Sequence, residues 1–577
     1  MNINKPLVFY ALSFFIGSLS SLIFRNSLII GAVVAASFLY VIYFTNTKMF
    51  TLINATFVLC GIISFNMYFY FLPSNCEKIR VVEVKRYCTI GKLKGRNILL
   101  KGNTKNLKEG RKIKAKGKFQ KNIIYDKGII GNYFIDEYEN CNEDFIYNCY
   151  CLKERIKYEF SKRLDDNKKA LVMSLCFGDT SLLTIEEKNK FQKLGVIHAV
   201  SVSGFHLSIV YKILEILGGV KLGIILSFLY VVFTGLRYST LRAFIMIVIL
   251  KFSKIVYKNY DSISAISLAF LLILFIKPYS FMEIGFMLSF LSTLGIILYY
   301  NKIRKKLYYL PSKINDSLSI TLSAQIFTLP YIAFTLEDFS LGFIIGNLFL
   351  LPLYSVVIIV GNFALLAINF KFLFSVINIL LYNLTIGIEG ANYILLKICP
   401  PMINLGGKEG ICLIIIYFSY VMIKYGKKQF KYLPVMAVTT LFISYYTIFP
   451  EIYIINDEKM SSAIIKYNIN CLMICNYDLE KGKDVIKLKE KYNVNKIITN
   501  KEDSIVITTN NSVVKIIDDD RKINSIAVKN IKGKYIYYDI IDRSQNKEIL
   551  YKIIFGKVYK KDFSLNGGEH HLFKWNL

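Results

Sequence analysis

The stretch Leu194-Gly195-Val196-Ile197-His198-Ala199-Val200-Ser201-Val202-Ser203-Gly204-Phe205-His206-Leu207-Ser208-Ile209 stands at the mouth of an apolar run. It holds two histidines, three serines and glycines. Polar and ionisable side chains are costly at membrane depth, and where they occur they mark a working position by default. At 100° per residue a helix drawn through this stretch sets Ser203 and His206 about 60° apart and His198 and His206 about 80° apart. The expectation is one helix with one polar stripe that carries both histidines and Ser203.

Working outward, the surroundings are those of a membrane protein. Of 577 residues, 54% are hydrophobic and only 20% charged, far too apolar for an ordinary soluble enzyme. Residues 1–24 carry a short basic head and an apolar run without a small-residue cleavage site, so they read as a membrane helix rather than a signal peptide. Two further runs, 27–44 and 49–71, are each close to the roughly 20 residues that cross a bilayer. Residues 152–194 read as amphipathic helices lying against the membrane. About ten apolar segments follow up to residue 449, several beside Pro330, Pro352, Pro400 and Pro401. Broken helices at that depth are tolerated where they line a cavity, which favours a channel or transporter over a passive anchor. The fold class expected is a polytopic α-helical membrane protein of about 13 membrane segments, with an inserted small β-barrel and a C-terminal α/β domain. The domains are 1–72, 73–155, 156–449 and 450–577.

The barrel is expected where the composition flips. Residues 78–127 hold 17 Lys or Arg against 3 Asp or Glu, a net of +14. Short alternating runs punctuated by glycine give the strand pattern. Arg111, Lys112, Lys114, Lys116 and Lys118, with Phe119, Tyr125, Tyr133 and Phe134 for stacking, form a candidate single-stranded nucleic-acid surface. A solvated lysine face is the plainer reading. The whole chain, with 72 basic and 41 acidic residues and a formal net charge of +31, suits a polyanionic partner. Five cysteines, Cys76, Cys88, Cys141, Cys149 and Cys151, lie in or beside this segment. Facing an oxidising exterior they are disulfide candidates; in a cytosolic domain they are idle thiols. No zinc-like pairing of cysteines occurs.

Basic clusters at Lys302, Arg304, Lys305 and Lys306 and at Lys424, Lys427, Lys428 and Lys431 mark cytoplasmic loops by the positive-inside rule. Counting crossings from them places the barrel and the tail both outside. Arg242 is a candidate for a phosphate path, with snorkelling as its alternative. Glu215 and Glu283 are expected as structural partners of such arginines.

The motifs, taken in order, resemble the ComEC family of competence proteins, the channel for transforming DNA in the cytoplasmic membrane. The resemblance rests on Gly178-Asp179; Gly195 with His198; Ser203, Gly204 and His206; Gly235; Ser239 with Leu241-Arg242-Ala243; Gly285-Phe286-Met287-Leu288-Ser289-Phe290; and Gln325, Pro330, Ser340, Asn347 and Pro352. It implies an oligonucleotide-binding-type barrel after the first helices, which agrees with the basic segment. It also implies a metallo-β-lactamase-like tail. Such a domain needs a His-x-His-x-Asp-His cluster, whereas residues 494–499 lead into Asn500-Lys501-Glu502-Asp503, and the tail's histidines are only His570 and His571. The tail is therefore expected to be degenerate, with no metal, no cofactor and no enzyme activity.

The function this implies is passage of single-stranded DNA through the membrane, along His198, Ser201, Ser203, Gly204, His206, Ser239 and Arg242. The chain has no Gly-x-x-x-x-Gly-Lys-Ser/Thr loop and hence no motor of its own. The resemblance implies a membrane-bound DNA receptor and a cytoplasmic helicase-like ATPase as partners, beside the membrane lipid. Two other readings stand against it: a secondary transporter of a small solute, and an intramembrane serine hydrolase built on Ser203 and His206. Nothing in the sequence sets an oligomeric state.

Overall fold

A computed structural model describes residues 5–456 apart from 85–87 and 105, and, beyond 456, chiefly strands between 461 and 564. The chain divides into two compact units, Met1–Tyr331 with Ser340–Met402, and Ile332–Phe339 with Ile403–Leu577.

The first unit opens with helices α1 (Pro6–Ile23), α2 (Leu28–Thr45) and α3 (Lys48–Phe69). Small residues let α1 and α3 meet closely, as expected where lipid removes the hydrophobic drive for helix association. A Cβ on Gly17 would lie 2.1 Å from the Val58 carbonyl oxygen, and one on Gly61 would lie 2.3 Å from that of Phe14. Ser13 donates to Asn54 across the same seam at 2.7 Å.

Five strands follow: β1 (Cys76–Val84), β2 (Thr89–Leu93), β3 (Arg96–Gly102), β4 (Lys112–Ile124) and β5 (Ile129–Asn140). They close into a barrel in the order β1-β2-β3-β5-β4, with β3 and β5 parallel. The period-2 rule fills it: Ile79, Val81, Leu93, Ile98, Ile113, Ala115, Tyr133 and Ile135 point inward and are buried. Lys112, Lys114, Lys116 and Lys118 alternate with them on the outside.

Two barrel expectations change here. Of the four aromatics proposed for stacking, Tyr133 is fully buried, its hydroxyl donating to the Asn75 and Ala115 carbonyls at 2.9 and 3.2 Å. Tyr125 packs on Phe69, with Arg25 over its ring, and Phe119 lies over Gly131. Only Phe134 stands exposed. The β4 lysines are also partly matched, because Lys114 sits opposite Glu139 and Lys116 opposite Glu137. A count that stops at residue 127 misses these β5 carboxylates. The five cysteines Cys76, Cys88, Cys141, Cys149 and Cys151 are all free thiols.

The barrel is seated on the helices rather than tethered. Arg96 donates to the carbonyls of Tyr68 and Met67 at 2.9 and 3.0 Å, and the Tyr68 hydroxyl donates to the Gly128 carbonyl at 3.0 Å. Asn97 donates to the Tyr279 hydroxyl at 3.2 Å.

After the barrel come α4 (Phe145–Ser161), α5 (Asp166–Phe177), α6 (Ile185–Lys193), α7 (Ile197–Val200), α8 (Gly204–Phe233), α9 (Tyr238–Ile255), α10 (Ser262–Ile276), α11 (Ile284–Lys306), α12 (Ser312–Thr335), α13 (Phe343–Ala367) and α14 (Lys371–Ile398). Among the described residues eight helices, α1, α2, α3, α8 and α11 to α14, are long and apolar enough to cross a membrane. The chain is thus a multi-pass membrane protein. One of the eight turns back on itself. In α8, Gly219 takes φ 75° and ψ 178°. A Cβ on Gly223 would lie 3.3 Å from the backbone of Glu215, eight residues earlier. Both ends of α8 also meet at Gly178, whose Cβ would lie 3.3 Å from Val202 and 3.4 Å from the Thr234 carbonyl. The element is a hairpin of two half-helices of about 15 residues, each reaching only ~22 Å, less than the roughly 30 Å hydrocarbon core.

The second unit holds α15 (Gly407–Lys424) and α16 (Leu433–Tyr445), and a short ladder of β6 (Asp338–Phe339) with β7 (Ile403–Asn404). Beyond them lie two sheets. The first joins β8 (Thr447–Asn456), β9 (Ser461–Asn468), β10 (Asn470–Cys475), β11 (Lys496–Thr499), β16 (Lys547–Ile554) and β17 (Lys557–Ser564). The second is the four-stranded meander β12 (Ser504–Thr509), β13 (Ser512–Asp519), β14 (Lys522–Lys529) and β15 (Tyr535–Asp539). His570, His571 and residues 500–503 lie outside the described residues.

The seat of the barrel yields a test. Gly128 has φ +61°, and a Cβ there would lie 2.2 Å from the Tyr279 ring, whereas Gly95 has φ +85° in open space. Gly95→Ala therefore costs about 1 kcal/mol through left-handed strain alone. Gly128→Ala, which adds the clash, costs about 2 kcal/mol or more. Thermal denaturation of the full-length chain in detergent should rank them in that order; equal losses would contradict the seat.

Candidate functional site

The quoted stretch is not one helix. α7 ends at Val200, Ser201 is extended, and Ser203 takes φ −120° and ψ 177° before α8 begins. The reason is local. The Ser203 backbone N–H donates to Nδ1 of His206 at 3.1 Å, and the Ser203 hydroxyl lies 2.9 Å from the same nitrogen. His206 thus caps the first turn of its own helix. The helix break overturns the continuous stripe: His206 is fully buried, while His198 is exposed on α7. The Nδ1 lone pair accepts the Ser203 backbone N–H, so the pair works first as a cap.

Around this cap the separated motifs converge. Gly195 has φ +68°, and a Cβ there would lie 2.5 Å from Phe343, so the turn before α7 is pressed onto the start of α13. Ser340 donates to the Lys193 carbonyl, and so does the Cys399 thiol, at 3.1 Å. A Cβ on Gly204 would lie 3.0 Å from the Arg242 guanidinium and 3.1 Å from Ala243. Glycine there lets the starts of α8 and α9 touch. Ser239 donates to the Val202 carbonyl at 3.2 Å, and Arg242 Nε donates to the Ser289 hydroxyl of α11 at 2.9 Å. Arg242 makes no ion pair among the described residues. Arg237 donates to the Gly178 carbonyl at the end of α5. Of the residues expected on the path, Ser201, Ser203, Gly204, Ser239 and Arg242 come together, His206 lies beneath them, and His198 sits on the separate short helix α7.

A cavity of about 680 Å³ opens between these helix starts and the barrel. Its lining takes Ser201 and Val202 before α8, Gly235 to Ser239 before and at the start of α9, and Met282 to Gly285 around the start of α11. Three helix N-termini therefore face one space. Each carries partial positive charge, the usual basis for anion binding. Lys92, Lys127, Arg237 and Lys277 line the cavity against Glu83, Asp126 and Glu283. Glu283 accepts from the Tyr238 hydroxyl at 3.0 Å, and burial raises its pKa, which weakens it as a counter-charge. Burial, then neighbouring Lys92, push the Lys277 ammonium down to about 8. Burial lowers Lys92 and Arg237 in the same sense. Arg237, Lys277 and Lys92 were not singled out in the sequence. Arg237 follows the Gly235 motif by two residues, and Lys277 ends an apolar helix before Pro278; both were legible signals. Glu215 pairs with Lys251, as a structural partner of a lysine rather than an arginine.

The core that builds this site has known relatives. The competence protein family model matches residues 175–428, which contain every helix start around the cavity. Through this core the chain is similar to the competence protein family. ComE operon protein 3 of Bacillus subtilis (strain 168) is 28% identical over 274 residues, covering 45% of this chain and 35% of that protein. The match therefore spans about a third of that relative. No solved structure matches.

The lowered Lys277 gives a pH signature. Between pH 7 and 9 the ammonium loses its proton, so the cavity loses a positive charge and binding of a short polyphosphate to the full-length chain should weaken. Lys277→Arg should flatten that profile. His206→Ala removes the acceptor of a buried N–H and leaves a void, at about 2–4 kcal/mol. It should lower the amount of folded protein in the membrane; normal levels with lost activity would contradict the capping role.

Proposed function

We propose that the chain is a channel of the cytoplasmic membrane that takes single-stranded DNA inward during competence. The observation that carries this reading is the cavity where three helix N-termini, Arg237 and Lys277 meet beneath a basic five-stranded barrel. A polyanion crossing a low-dielectric layer needs substitutes for water around each phosphate. Dipoles, hydroxyls and partly compensated cations supply them without holding the strand so tightly that it stops. A carrier for a small solute gives no reason for a basic barrel over its mouth.

Charge supports the orientation. α9 and α11 both start at the cavity and end in Lys251 and Lys254, and in Lys302, Arg304, Lys305 and Lys306. By the positive-inside rule such ends favour the cytoplasmic side, which supports a barrel and a cavity on the outside. The strand order and the parallel β3–β5 pair fit an oligonucleotide-binding-type barrel. Within this reading the chain makes and breaks no bonds, and its tail, lacking the histidine cluster, is a scaffold. The driving force comes from a cytoplasmic helicase-like ATPase, and the strand is handed over by a membrane-bound receptor.

Internalisation of labelled DNA in cells and oligonucleotide binding by the purified full-length chain test it together. Arg237→Gln with Lys277→Gln should lower binding by roughly a hundredfold or more, since each charge-assisted contact contributes about 1.5–3 kcal/mol. Lys114→Glu with Lys116→Glu should cost less, because each of these lysines already faces a glutamate. Undiminished uptake in the first pair at normal protein levels would sink the proposal.

A further inference from the structure

The α8 hairpin presents two half-helices to the same depth of membrane, and their exposed faces differ in chemistry. On the returning half Lys221 is exposed beside the Gly218-Gly219 tip, and from there to the C-terminus the exposed residues are Leu222, Ile225, Phe228 and Leu229. Those beyond Lys221 are all apolar, as lipid requires. On the entering half, between the exposed His198 of α7 beside its start and the exposed Ile216 and Leu217 near the tip, the exposed line is Phe205, Ser208 and Lys212. Spaced i, i+3 and i+7, these residues share one face. The opposite face, His206, Leu207, Val210 and Tyr211, is buried against the core.

Lys212 lies nine residues beyond Ser203, so it sits ~14 Å along the helix from the cavity end, near mid-membrane. It makes no ion pair among the described residues, unlike Glu215 and Lys251 one turn farther on. An unpaired ammonium at that depth is not tolerated against lipid, and faces a water-filled space instead. The line also continues upward: Val202 and Ser201, which line the cavity, lie three and four residues before Phe205.

We infer that the exposed face of the entering half-helix is the wall of the conduit below the cavity, with Lys212 as its mid-membrane phosphate contact and Phe205 as a ring on which a base stacks. The inference rests on the reading of the cavity as the entrance for a single-stranded polynucleotide. It moves the deep contact away from His206, which is buried behind this face.

The test uses the full-length chain in native membranes, with Ser208→Cys, Lys212→Cys, Leu222→Cys and Ile225→Cys made singly. Each is treated with a charged, membrane-impermeant thiol reagent, and modification is read by mass spectrometry at the site. The first two should react roughly tenfold faster than the last two, because the reactive thiolate forms in water and not against lipid. Equal rates at all four positions would overturn the aqueous wall, and Ser208→Cys, a near-isosteric change, keeps that outcome informative if Lys212→Cys is poorly folded. A second arm preloads a single-stranded oligonucleotide. Protection of both reactive positions supports the strand contact. Fast reaction without protection would uphold the aqueous wall and overturn the polynucleotide reading on which the contact rests. In cells, Lys212→Arg should keep internalisation and Lys212→Met should reduce it; the same activity in both would overturn the role of the charge.

Discussion

The arrangement depends on where α8 begins. A chain entering the membrane must satisfy the free N–H groups of its first helical turn, and here Ser203 hands its backbone N–H to the imidazole of His206. That bond ends the extended segment at residue 203 and points the positive end of the helix back toward the barrel. With no side chain on Gly204, the start of α9 closes against it, and the bond from Ser239 to Val202 fixes the pairing. Arg242 then reaches Ser289 and ties in α11. Three helices are thereby gathered by their N-termini at one place, as a consequence of a cap, a missing Cβ and two hydrogen bonds.

The charges at that place are moderate and mixed, and this suits passage better than capture. Four cations face three carboxylates, and burial weakens Lys277 and Glu283 alike as charged groups. A site that held a phosphate with the strength of a dedicated clamp would stop the next one. The barrel repeats the theme, since its most basic strand runs beside a strand that carries Glu137 and Glu139. On the proposed reading, attraction is spread over a surface and concentrated nowhere.

Much of this was legible in the amino acids. The order of the short motifs marked the core, and the alternation of lysines with Ile113 and Ala115 marked a barrel strand correctly. The helical-wheel reading of residues 198–206 failed because it assumed an unbroken helix, while a serine followed three residues later by a side chain able to reach back is itself a cap signal. The turn in α8 had a signal too: Gly218-Gly219 halves an apolar run of 30 residues, too long for a simple crossing. The burial of Tyr133 had none, since strand alternation gives its face only once the register of β4 against β5 is known. The convergence of Arg237, Lys277 and Lys92 was likewise out of reach, because it joins a loop, a helix end and a barrel strand.

The central claim is that the strand is received where the helix starts converge, and the most direct measurement is a cryo-electron microscopy structure of the full-length chain with a bound single-stranded oligonucleotide. The account predicts phosphate density in the cavity bounded by Ser201, Arg237, Lys277 and Gly285, continuing along Phe205 and Ser208. Density confined to the outer face of the barrel along Lys112 to Lys118, with the cavity closed to the strand, would contradict it.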